Sequence, residues 1–86
     1  MHTLDTLDTM RGLLARTLQL GARADAYTED SPLLGAIPEL DSMAVVGLIA
    51  AMKDEFGFVV HDDEISADTF ATLGTLARFA ERKLSP

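Results

Sequence analysis

Between Asp41 and Gly57 the chain sets Val45, Leu48, Ile49, Met52 and Phe56 every three or four residues, and Val46 widens that stripe. This is the period of an α-helix that keeps one broad face against apolar neighbours. Asp41 is a preferred N-cap type and Gly57 supplies a stop, so the spacing predicts a helix from about Ser42 to Phe56. Its only charges, Lys53, Asp54 and Glu55, fall in the last turn. A helix this apolar either runs through the core or shows an adhesive face to a partner. With 86 residues there is room for one core, so the chain is expected to be a single domain over residues 1–86 built around this helix.

Two further helices are legible. Leu4, Leu7, Leu14 and Leu18 recur at helical spacing, with Met10, Leu13 and Leu20 beside them, which predicts a helix over about 4–20. Thr3 would cap it and Gly21 would end it. Leu73, Leu76, Phe79, Ala80 and Leu84 predict a last helix over about 72–83, with Arg82 and Lys83 where the helix dipole favours cations. Residues 22–41 carry no sustained period, and Leu33, Leu34 and Ile37 are expected to anchor this long connection. Phe58-Val59-Val60 has no partner strand, so it reads as an extended link plugging the core. After the acidic turn 61–64, Ser66 or Asp68 can cap one short helical turn ending near Phe70. The fold class is all-α, a small bundle of three main helices plus one short one.

Charge and composition exclude several functions. The net charge is −7, and residues 1–76 hold four basic against thirteen acidic side chains. A polyanion is repelled by such a surface, so nucleic acid is not an expected ligand. There are no cysteines, which excludes disulfides and thiolate metal sites and means that any thiol must come from a cofactor. The longest uncharged apolar run, Met43 to Met52, is about half of what crossing a bilayer needs. No basic n-region precedes an apolar run at the N-terminus, so a cytoplasmic protein without membrane insertion is expected.

Ser42 is the candidate functional residue. At a helix start it holds its hydroxyl toward solvent beside backbone N–H groups that the helix leaves free, a favourable place for a covalently carried anion. The chain's two histidines, His2 and His61, have no motif tying them to Ser42. A hydroxyl without a base is a poor nucleophile, so self-contained serine catalysis is not expected and the protein is read as no enzyme, with no catalytic residue. Modification by a separate enzyme needs only exposure and a docking surface.

Asp41-Ser42-Met43, a mostly apolar helix ending Glu55-Phe56-Gly57, an acidic turn and a final helix opening Thr72-Leu73-Gly74-Thr75-Leu76 together resemble an acyl carrier protein over residues 33–80. The resemblance implies 4′-phosphopantetheine, taken from coenzyme A, on Ser42. The protein would then hold acyl intermediates as thioesters and present them to separate enzymes. Its implied partners are a phosphopantetheinyl transferase and acyl-loading and acyl-using enzymes, with the carrier itself a monomer. Asp41, Met43, Ala44 and Gly47 are the implied carrier-motif and partner-recognition residues. A peptidyl or D-alanyl carrier, or an unmodified helical interaction module, are the alternatives.

Two departures from the family's pattern bear on partners. Glu39 stands where carriers of fatty-acid synthesis usually have glycine, and Ala44, Gly47, Ala51 and Lys53 replace acidic residues expected on the outer face of the serine helix. Residues 39–51 and 62–71 resemble specialised carriers, including those of exosortase-linked gene clusters, more than housekeeping ones. Docking by apolar fit is expected, and an acyl chain is expected to reach the core near Val46, Met52, Val60, Ile65 and Phe70. The acidic residues 54, 55 and 62–64 lack EF-hand spacing, so a solvated turn and no metal site is the expectation.

Overall fold

The computed structural model describes residues 3–84. Three α-helices, α1 (Thr3–Thr17), α2 (Ser42–Phe56) and α3 (Leu73–Leu84), are joined by segments containing short 3₁₀ helices at Gly21–Ala26, Asp62–Glu64 and Ala67–Phe70. The all-α bundle agrees with the sequence reading, except that three short helices stand where one was expected. Helix α1 packs on both α2 and α3, while those two touch each other sparingly. Met10, Leu13 and Leu14 of α1 meet Leu48 and Met52 of α2 and Leu73, Leu76 and Phe79 of α3 in one core.

Helix α1 stops earlier than its periodicity suggests. Gln19 takes the left-handed conformation at φ 56, two residues before Gly21, which is itself left-handed at φ 59, and the Leu20 N–H donates to the Ala15 carbonyl at 2.9 Å. That is a Schellman ending. It turns the chain so that Leu18 and Leu20 both enter the core, and their burial drives a non-glycine residue into a region it rarely visits. The helix already includes Thr3, so its N-cap position lies outside the described residues, as does His2. Helix α2 has the expected bounds, with Asp41 accepting from the Ala44 N–H at 2.8 Å and Gly57 closing it at φ 77.

The connection from 27 to 41 is laid along the start of α3 by its backbone. Leu33 and Leu34 donate to the carbonyls of Ala71 and Phe70, and in return Leu73 and Gly74 donate to Ser31 and Glu29 at 3.1 and 2.8 Å. The first helical N–H groups of α3 have no partner within the helix, and this connection supplies them. Thr72 completes the cap in a reciprocal exchange with Thr75. Leu33 and Ile37 are the buried anchors, whereas Leu34 is held by its backbone and its side chain is exposed. In the 58–60 link only alternate side chains turn inward. Phe58 stacks on Phe56 and meets Phe79 edge-on, Val60 is half-buried, and Val59 faces solvent.

Candidate functional site

Ser42 is the first residue of α2 and is exposed. Asp41, extended at φ −96 and ψ −176, stands before it and spends one carboxylate oxygen on the Ala44 N–H. The Val45 N–H is taken by the Asp41 carbonyl at 2.9 Å. The amides of Ser42 and Met43 lie in the first turn, where the helix cannot engage them, so the serine hydroxyl sits beside two backbone donors at the positive end of the helix dipole.

The outer face of α2 is apolar. Met43 is 77% and Val46 63% exposed, and Gly47 and Ala50 share that side. Two residues expected there lie elsewhere, because Ala44 and Ala51 are half-buried against the core. The helix is apolar nearly all round, so no polar stripe in the sequence marks its outer side. Lys53 and Asp54 are exposed at its far end.

Family comparison agrees with this arrangement. A family model described as "Phosphopantetheine attachment site" matches residues 8–81. The chain belongs to the phosphopantetheine attachment-site family. It is an acyl carrier protein, a carrier and not a catalyst, whose prosthetic group is 4′-phosphopantetheine. It is similar to a holo acyl carrier protein from Nitrosomonas europaea solved by solution NMR, with 56% identity, 93% of this chain and 96% of the other covered, and a TM-score of 0.88. The surroundings of Ser42 fit such a group, since the hydroxyl is exposed and backbone donors stand ready for a phosphodiester.

The expected acyl-pocket residues divide. Met52 and Phe70 are buried, Val60 and Ile65 are half-buried, and Val46 departs from the expectation by facing solvent. In the acidic turn Asp63 is exposed, and Glu64 is paired. Lys83 Nζ donates to both oxygens of Glu64 at 2.8 and 2.7 Å, and the His61 N–H donates to one of them at 2.9 Å. Those hydrogen bonds, the Lys83 ones foremost, hold the Glu64 carboxyl below its usual range. His61 itself is exposed. Among the described residues no three His, Asp or Glu side chains gather to hold a metal ion, and no helix is long and apolar enough to cross a membrane.

One feature of the site escaped the sequence reading. Arg23, on the 3₁₀ helix Gly21–Ala26, donates through Nη1 and Nη2 to the two oxygens of Glu39 at 2.6 and 3.1 Å. The hydrogen bond from Arg23 is the main cause of a lowered Glu39 pKa. Glu39 stood out as a departure from the glycine usual in fatty-acid carriers, but its partner lies sixteen residues away, in a segment with no periodic signal.

Proposed function

We propose that Ser42 carries the 4′-phosphopantetheine arm and that the protein serves a specialised acyl pathway whose enzymes dock on the apolar outer face of α2. The supporting observation is an exposed serine at the first helical position, continuous with exposed Met43, Val46, Gly47 and Ala50. When bound, the arm supplies a terminal thiol that carries acyl groups as thioesters, chemistry this cysteine-free chain lacks. The chain's own part is to present the serine. In the transfer, Ser42 Oγ forms a bond to phosphorus, the pyrophosphate bond of coenzyme A breaks, its nucleotide half leaves, and the serine proton passes to a base of the transferase. The amides of Ser42 and Met43 and the α2 dipole favour the resulting anion by about 0.3–1 kcal/mol.

The same reading takes Asp41, Met43 and Gly47 as the recognition surface, with Ala44 behind it as packing. It treats the chain as one domain, because all three helices share one core, and takes the carrier to work as a cytoplasmic monomer. Incubation with coenzyme A, magnesium and a broad-specificity transferase, followed by mass spectrometry, should add one phosphopantetheine to the protein and none to Ser42→Ala. An unmodified protein, or a modified Ser42→Ala, refutes the assignment. Apolar docking further requires that transfer to the native partner enzymes change by less than about threefold as salt is raised from about 0.05 to 0.5 M, since screening acts on charges and not on apolar fit. A steep fall refutes it.

A further inference from the structure

We infer that Arg23 is a positioning residue for the attachment serine, an inference that rests on Ser42 being the modified residue. The segment entering α2 is held from inside by Ile37 and Leu40, both buried, and from outside by Glu39 between them. Glu39 is gripped by a guanidinium fork, two nitrogens on two oxygens, which fixes orientation as well as distance. The fork is itself mounted firmly. The Arg23 N–H donates to the Leu20 carbonyl, the Tyr27 N–H to that of Ala24, and the side chains of Leu20 and Ala24 are buried. Arg23 thereby couples the end of α1 to the approach of the serine.

Glu39 stands three residues before Ser42, a reach of at most about 11 Å of chain. The intervening Asp41 is extended. A displacement at Glu39 therefore passes to Ser42 through few bonds and no helical turn that could absorb it. In the free carrier, loosening this segment lowers the fraction of molecules presenting the serine correctly. A transferase reads that fraction as a weaker apparent affinity, with the bound complex unchanged. Arg23 also keeps the Glu39 charge in an internal pair, so a partner approaching Met43 and Val46 meets an apolar face with a neutralised rim. The ion pair at the other end of α2, Arg16 with Glu55, makes a good contrast: it is a single contact at 3.4 Å between more exposed groups.

The test is the steady-state rate of phosphopantetheine transfer to the full chain, with coenzyme A, magnesium and a broad-specificity transferase, well below the melting temperature of each variant. Arg23→Lys, Arg23→Gln and Glu39→Gln should each raise KM for the carrier about two- to fivefold with kcat unchanged, the scale open to a part-exposed pair. The double variant Arg23→Gln/Glu39→Gln should be no worse than either single one. Arg16→Gln should match the parent. Arg23→Lys decides between fork and charge, because lysine keeps the charge but has one nitrogen and no fork. Wild-type KM in Arg23→Lys, or in all the variants, overturns the role of Arg23 while leaving Ser42 in place. Failure of the parent to gain the arm, or its gain by Ser42→Ala, instead refutes the serine assignment on which this role depends.

Discussion

Gly74→Ala should destabilise the carrier even though it replaces the poorer helix former by the best one. A Cβ at position 74 would lie 2.7 Å from the Glu29 carbonyl oxygen, 3.1 Å from the Glu29 Cβ and 3.3 Å from its carbonyl carbon. Ordinary carbon–oxygen contact begins near about 3.3 Å, so the 28–31 turn must retreat by roughly 0.6 Å. Two of the groups that must not move are its hydrogen bonds, Gly74 N–H to Glu29 at 2.8 Å and Leu73 N–H to Ser31 at 3.1 Å. A retreat of that size along the bonds takes the first to the edge of useful geometry and the second past it. Overpacking costs about 1–3 kcal/mol and the weakened bonds about 0.5–1.5 kcal/mol. Against this stands at most about 1 kcal/mol of helix propensity, less in the first turn than in a helix interior. The net loss is about 1–3 kcal/mol, or roughly 5–20 °C in Tm for a domain of this size. Gly12→Ala is the internal control, since nothing lies within 4 Å of its Cβ position on α1. It should gain about 0.5–1 kcal/mol. Thermal and urea unfolding followed by circular dichroism measure both. If Gly12→Ala rises as expected and Gly74→Ala matches or exceeds the parent, the close approach of Glu29 does not hold the connection in place.

Two other outcomes follow from the same contacts. The Glu64 carboxyl titrates lower in the folded state than its ordinary value, so its stabilisation is complete above about pH 5 and fades as pH falls through the folded value. The urea midpoint should drop more steeply between about pH 5 and 3 in the parent than in Glu64→Gln, and equal slopes would contradict the pairing with Lys83. For the acyl site, loading chains of increasing length should shift the amide signals of Met52, Val60, Ile65 and Phe70 progressively, with outward-facing Val46 moving least; spectra indifferent to chain length would remove the core as the chain's resting place.

What could be read from the sequence was what neighbouring residues decide. Asp41 and Gly57 bound α2 correctly because a cap and a left-handed stop act within one turn. The place of Ser42 at the start of α2 was legible for the same reason. Helix α1 was drawn too long because its end depends on Leu18 and Leu20 reaching the core, and that tertiary pull sets Gln19 in a left-handed conformation two residues before Gly21, where local preference alone would place the stop. The 3₁₀ helix Gly21–Ala26 has too few apolar residues to show a period. At the site, an almost uniformly apolar helix hid its own rotation, so Ala44 and Ala51 were placed outside where Val46 and Ala50 are. Arg23 with Glu39 and Glu64 with Lys83 join residues sixteen and nineteen apart, and no local rule pairs them.

The outward face of Met43, Val46, Gly47 and Ala50 has a colloidal consequence. A surface that attracts apolar partners attracts further copies of itself, and a carrier works only while it stays dispersed among its enzymes. The charge of −7, first read as a bar to nucleic acid, meets that need. Repulsion between copies is felt over about 8 Å at physiological salt, before the short-range apolar faces can touch. Like therefore avoids like at a distance, while an enzyme of little net charge meets no such barrier. The acidity that is missing from the outer face of α2 between Met43 and Ala50 is kept on the rest of the molecule, where it acts as a dispersant.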